Sequence, residues 1–229
     1  MSESCDRIFT MGYRINGFER GGVYHIFTRG VEKREIFMDH SDRVRFISQM
    51  IHCLPDEPIL NFSHAQKLKR KLIITSEGEG LADILCYCLM NNHVHFLLRE
   101  NVDGGISRYM QRLLNSFARY FNVKYERTGA LFAGPFRSVP VVSDDQLLHV
   151  SRYIHLNPHA AHIVKDVFAY PWSSLRAYLN DEDSKLYCHA DFLASLMDKK
   201  EYKKFVFDQV SYEQSLAAFP ELLLDDDYT

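Results

Sequence analysis

The chain has 229 residues, 46% hydrophobic, 25% charged and 13% aromatic, with 11 Gly and 7 Pro. This excludes collagenous and low-complexity architectures and predicts one large globular domain, or a smaller one with an appendage. No apolar run reaches the roughly 18 residues of a membrane helix, and Glu3, Asp6 and Arg7 stand where an export leader has its apolar core, so a cytoplasmic protein without membrane contact is expected. The formal charge of −3 averages two unlike parts: residues 1–180 carry 22 bases and 18 acids, and residues 181–229 carry 5 bases and 12 acids. The expected organisation is therefore a mildly basic domain at 1–180 and an acidic, partly helical appendage at 181–229. Five cysteines, an odd number, favour reduced thiols over a disulfide framework. Cys86 and Cys88 lack a second pair to complete a zinc knuckle and are expected in the core.

In chain order, residues 22–29 (GVYHIFTR) have the β-branched and aromatic content of a strand, and Gly30 supplies a turn. Residues 39–54 place Val44, Phe46, Ile47, Met50, Ile51 and Leu54 at helical spacing, with Ser41 or Asp42 as the cap. Residues 55–82 hold the basic cluster Lys67, Lys69, Arg70 and Lys71 and read as an insertion or a short exposed helix. Residues 82–89 and 93–99 are two strands joined at Asn91-Asn92, an antiparallel hairpin. A helix is predicted over 106–124, with Tyr109, Met110, Leu113, Leu114, Phe117 and Phe121 as its apolar stripe. After a loop at 127–135 come a strand at 136–142 and a helix from Asp144 or Asp145 to about Asn157, which Pro158 helps to end. The order β-α-β-β-α-β-α predicts an α+β fold, a ferredoxin-like antiparallel sheet with helices packed on it. Short helices at 191–197 and 201–210 form the C-terminal helical appendage.

Three constellations carry possible chemistry. His93-Val94-His95 lies on a predicted strand, where alternate side chains share a face, so two imidazoles are placed to hold one divalent metal ion. Two surface histidines are the plain alternative. Tyr153 and Asn157 sit at i and i+4 of a helix and share its face. A packing tyrosine is the plain reading there; the chemical one is a phenol exposed beside a metal, with Asn157 as third ligand and His149 or His155 as possible auxiliaries. Finally, Arg108, Arg112, Arg119, Lys124, Arg127 and Arg137 stand against one acid, Glu126, and alternate with aromatic residues. Such a segment suits single-stranded nucleic acid, through phosphate neutralisation and base stacking, as well as an ordinary solvated helix face.

Several motifs in order resemble the single-tyrosine transposases of the HUH endonuclease superfamily, and most closely the REP-associated tyrosine transposases. They are GVYHIFTRG, MNNHVHFLLRE, ISRYMQRLLNSFARYFN, TGALFAGPFRSVPV, LLHVSRYIHLNP and YPWSSLRAYL, which together span about residues 20–180. The resemblance implies a ferredoxin-like catalytic domain with His93 and His95 as the metal pair, Tyr153 as nucleophile and Asn157 as third metal ligand. Asn91 stands where that family often has Pro, Val31 where it often has Asn, and Ala133 where a polar residue is common. None of these removes the implied catalytic set.

The expected function is a single-stranded DNA endonuclease and strand transferase, dependent on Mg2+ or Mn2+. It would act on hairpin-containing DNA through a 5′-phosphotyrosine, as a monomer or homodimer. A phenol, with a pKa of about 10 when free, loses its proton as it attacks, and a metal at the site offsets the charge that develops. The linkage conserves bond energy, and no P-loop sequence is present. The alternatives are a catalytically weak hairpin-binding protein of the same fold and a metal-dependent hydrolase of small substrates. The charge split further predicts that removing 181–229 raises nonspecific DNA affinity.

Overall fold

The computed structural model describes residues 17–57, 78–179 and 188–208. Strand β1 (Val23–Arg29) is followed by helix α1 (His40–His52), and the hairpin pairs β2 (Ala82–Leu89) with β3 (His93–Glu100). Helix α2 (Gly105–Lys124) leads to β4 (Arg137–Val141), and α3 (Asp144–Ala160) follows. Three short helices close the described chain: α4 (Leu175–Tyr178), α5 (Ala190–Ala194) and α6 (Lys199–Phe207). The basic cluster at 67–71 lies outside the described residues. None of the described helices is long and apolar enough to cross a membrane.

The four strands form one antiparallel sheet in the order β2-β3-β1-β4. Each of β1-α1-β2 and β3-α2-β4 leaves room for one strand between its two strands. This interleaving is the split βαβ arrangement of ferredoxin-like folds. The α+β reading therefore holds, with strand bounds within one residue of those expected.

Register decides what each face carries. Phe27 stands opposite His95, Arg29 opposite His93, and Cys88 opposite His95 on the other side. Val23, His25, Phe27 and Arg29 therefore share one face with His93, His95, Leu97 and Arg99, while Tyr24, Ile26, Val94, Phe96 and Leu98 share the other. Helices α1 and α2 cover the Phe96 face, where Phe46 stacks on Phe96 at 6.3 Å and meets Phe117 edge-on at 4.9 Å. Truncating a ring as buried as Phe46 costs about 3–5 kcal/mol. Helix α3 covers the histidine face. With both faces covered, β2 is buried along its whole length, which is why it reads as an unbroken apolar run. Cys86 and Cys88 are both fully buried, as expected of small core residues.

The caps differ from expectation. Asp39, not Ser41 or Asp42, caps α1, and Asp42 completes a capping box by reaching back to the Asp39 backbone. Ser143 caps α3 by accepting from the Gln146 N–H, leaving Asp144 and Asp145 in the first turn. That helix runs through Pro158 to Ala160. A proline one turn from a helix end displaces little hydrogen bonding, so it shortens the helix less than expected.

The described part of the acidic C-terminal region packs on α3. Tyr202, 2% exposed, bonds through its hydroxyl to Ser151 Oγ at 2.9 Å and His155 Nδ1 at 2.8 Å. Arg152 lies over the Phe205 ring and donates to the Asp208 carbonyl. At the β2 edge, the His189 N–H donates to Ile84 O. Residues 188–208 thus share the core of the sheet domain.

Candidate active site

Four residues of the site come from two elements whose periodicities were legible in the sequence. Strand β3 turns His93 and His95 to one face, with ring centroids 4.9 Å apart. Helix α3 crosses that face, and its i, i+4 stripe delivers Tyr153 and Asn157. The Tyr153 ring lies edge-on to His95 at 5.7 Å, and Asn157 Nδ2 is 3.4 Å from His95 Nε2. The structure therefore brings His93, His95, Tyr153 and Asn157 together. Tyr153 is 6% exposed rather than the open phenol that the residue pattern envisaged, because β1 and β3 close over its ring.

A fifth residue, His25, was not singled out from sequence. Its Nε2 is 3.0 Å from His95 Nδ1, its ring stacks on His95 at 5.2 Å, and it meets Tyr153 edge-on at 5.9 Å. The sequence placed His25 on a strand, but only the β1–β3 register makes it a neighbour of His95. Arg29, opposite His93, was likewise missed.

The two histidines held open as auxiliary ligands lie elsewhere. His155 is buried with its ring nitrogens engaged by Tyr202 OH and Ser174 Oγ. Burial pulls its pKa down to about 3, which keeps it a neutral core residue. His149 faces Asp145 and Phe205 on the outer part of α3.

The donor set fits a divalent cation. His93 and His95 offer imidazoles and Asn157 an amide, donor types that a divalent cation accepts; the amide would ligate through Oδ1, while its Nδ2 faces His95 Nε2. No cluster of three His, Cys, Asp or Glu side chains suited to a metal occurs among the described residues. The amide at Asn157 places this set outside that pattern.

The basic residues divide between the two faces. Arg137 on β4 stands opposite Phe27 and shares the histidine face. Arg108, Arg112, Arg119 and Lys124 belong to α2, on the far side of the sheet. Arg108 pairs with Asp56 at 2.5 Å, and Arg112 donates to Pro55 O and Asp56 O. Lys124 bonds Asp39 at 2.7 Å and Asp42 at 2.6 Å, joining the end of α2 to the start of α1. Arg127 donates to Asn122 Oδ1 and lies over Phe121. Arg119 is exposed. On the α2 side, a cavity of about 630 Å3 is lined by Phe18, Arg108, Gln111, Asn115, Phe132 and Phe136 among others.

A profile of the IS200-like transposases matches residues 23–157, from the first residue of β1 to Asn157. None of the curated protein sequences matches the chain. A solved structure of a REP-associated tyrosine transposase bound to a REP hairpin resembles it with a TM-score of 0.52 at 16% sequence identity. The likeness covers 78% of this chain and 88% of that one, and at this identity it concerns the fold.

Proposed function

The chain belongs to the family of IS200-like transposases, and from that membership we propose that it cleaves and rejoins single-stranded, hairpin-containing DNA through a 5′-phosphotyrosine at Tyr153. The observation that carries the proposal is the placement of the Tyr153 ring 5.7 Å from that of His95, with Asn157 one helical turn later at His95 Nε2. The proposed nucleophile and metal donors thus sit on two rigid elements, helix α3 and the central strand β3.

His93, His95 and Asn157 would hold Mg2+ or Mn2+, which when bound polarises a non-bridging phosphate oxygen and offsets charge in the transition state. Tyr153 supplies the nucleophile. Its phenolic oxygen bonds to phosphorus as the bond from phosphorus to the 3′-oxygen breaks, and the phenol's proton ends on that oxygen as a 3′-hydroxyl. The phosphodiester energy is kept in the phosphotyrosine, so attack by a 3′-hydroxyl reverses the step without ATP. Arg137, on the same sheet face, neutralises phosphates near the reacting bond.

The α2 side contributes DNA contacts of another kind. Arg108 borders a groove whose Phe18, Phe132 and Phe136 rings stack with bases and whose Gln111 and Asn115 amides hydrogen-bond to them. Arg112, Arg119, Lys124 and Arg127 complete the proposed basic surface. The residues that do this chemistry lie within 1–180, and of the expected appendage at 181–229 the described part, 188–208, packs into the same core.

The test is incubation of the protein with labelled single-stranded DNA carrying the hairpins that flank its gene, in Mg2+ or Mn2+. A covalent adduct that disappears in Tyr153→Phe and on chelation is the expected result. Equal hairpin binding by wild type and Tyr153→Phe with no adduct in either would replace this reading with that of a catalytically weak hairpin-binding protein.

A further inference from the structure

The turn between β2 and β3 offers a route by which this chain sets the protonation pattern of His93. Asn92 Oδ1 lies 2.6 Å from His93 Nδ1, and Asn92 Nδ2 donates to the Lys33 carbonyl at 3.1 Å. The second bond settles the first. A carbonyl accepts only from the amide's NH2 end, so the oxygen end must face His93. An amide oxygen accepts only, so His93 Nδ1 carries a proton, and in the neutral ring Nε2 keeps its lone pair.

The carbonyl that anchors Asn92 is held by an uncommon backbone. Glu32 and Lys33 are both in the left-handed region, at φ 55° and 57°, a conformation non-glycine residues seldom adopt. Strain of this kind persists where surrounding bonds over-determine it. Here Gly30 N donates to Asn92 O and Lys33 N donates to Gly30 O. A Cβ added at Gly30 would overlap the Arg34 carbonyl oxygen. Asn91 is clasped from the same side, its carbonyl accepting from Ile36 N and its side-chain oxygen from Arg43 at 2.7 Å.

We propose that Asn92 is a positioning residue: clasped by the strained turn at Glu32-Lys33, it holds His93 in the tautomer protonated on Nδ1, so that Nε2 is presented as a ligand atom. The role rests on the reading of His93 as a metal ligand. His95 is held from a different direction, by the His25 contact at its Nδ1, and that contact alone leaves the proton's position on the pair open. Asn92 is the residue for which the assignment is forced.

The tautomer is read directly, in the metal-free full chain at pH 8, by two-bond nitrogen–proton correlations of 15N-labelled histidine. Wild type is expected to show His93 protonated on Nδ1. Asn92→Ala, which removes the acceptor, is expected to shift it toward protonation on Nε2, and Asn92→Asp, which keeps an acceptor oxygen, is expected to retain the wild-type pattern. Mn2+ titration followed by electron paramagnetic resonance supplies a second readout: loss of an outer partner of a metal-bound histidine weakens affinity about 10- to 100-fold, so Asn92→Ala should fall in that range, whereas Asn92→Asp, which loses the bond to Lys33 O and adds a charge beside the histidine, is read by its tautomer alone. His93 protonated on Nε2 in wild type overturns the proposal, as does an Asn92→Ala protein with unchanged tautomer and Mn2+ affinity. If Asn92→Ala fails to fold, the wild-type spectrum and Asn92→Asp decide the matter. Absence of a Tyr153 adduct alongside the expected tautomers would overturn the proposed DNA chemistry and leave the role of Asn92 standing.

Discussion

Replacing Tyr202 by Phe tests whether the C-terminal helix α6 belongs to the cooperative core. The hydroxyl bonds to Ser151 Oγ and His155 Nδ1, both on the helix that carries Tyr153, and Tyr202 is 2% exposed. Removing that oxygen leaves Ser151 with its bond to Leu148 O but strips His155 Nδ1 of this partner in a fully buried environment. A buried polar atom left unsatisfied costs about 1–3 kcal/mol. For a chain of this size each kcal/mol moves the melting midpoint by about 2–4 °C, so Tyr202→Phe should melt roughly 2–12 °C below wild type. Tyr202→Ala also removes a ring packed 5.3 Å from Tyr178 and should cost about 3–5 kcal/mol. Circular dichroism melts and urea titrations with matched slopes measure both. A Tyr202→Ala protein melting within about a degree of wild type would refute the assignment of α6 to the core. Removing the whole of 181–229 takes Tyr202 with it and therefore tests stability before charge. The cleaner charge experiment ends the chain after Asp208, which removes Glu213, Glu221, Asp225, Asp226 and Asp227 and no basic residue. That deletion is expected to raise nonspecific DNA affinity at low salt.

Acid should loosen the junction of α1 and α2. The Lys124 bond, with Ser41, holds Asp39 well below the usual carboxylate range. Burial works to raise Asp42, but bonds from Lys124, Tyr125, the Met38 N–H and Tyr120 outweigh it and lower its pKa. Both carboxylates titrate lower folded than unfolded, so their contribution is complete above about pH 4 and disappears as pH falls through the folded values. Urea midpoints at pH 7, 4 and 3 should show that decline, flattened in Asp42→Asn. For DNA binding, Arg137→Ala and Arg119→Ala should each reduce the slope of log affinity against log salt by about one, whereas Lys124→Ala should chiefly lower the melting midpoint. Burial raises the thiols of Cys53 and Cys188 to about 12 and those of Cys86 and Cys88 higher still. A thiol reagent at pH 8 should therefore titrate no more than one cysteine in the native protein and all five after unfolding.

Much of the site was legible because it obeys short periods. The H-x-H pair needed only the strand's period of two, and Tyr153 with Asn157 only the helix's i, i+4. Neither needed a distant contact to be seen. His25, Arg29 and Asn92 needed one. His25 reaches the site across 70 positions, and its only local signal was its place in a strand-forming run. Asn92 was visible as a turn residue, but its amide acquires a direction only when Lys33 turns its carbonyl toward it. The basic stretch from Arg108 to Arg137 is contiguous in sequence but divides between the two faces of the sheet, because charge counting has no information about which side of a sheet a helix covers.

Composition and periodicity by themselves determined the class of the fold, the strand and helix that carry His93, His95, Tyr153 and Asn157, and the buried state of Cys86 and Cys88. These follow from local sterics and from the need to hide apolar side chains, which act within a few residues. Tertiary structure alone decided that α3 lies across the histidine face while α2 lies behind it. It also decided that residues 188–208 share the core and that the phenol is enclosed. These outcomes depend on strand order, register and the fit of surfaces remote in sequence, where burial is gained only once the whole chain has closed.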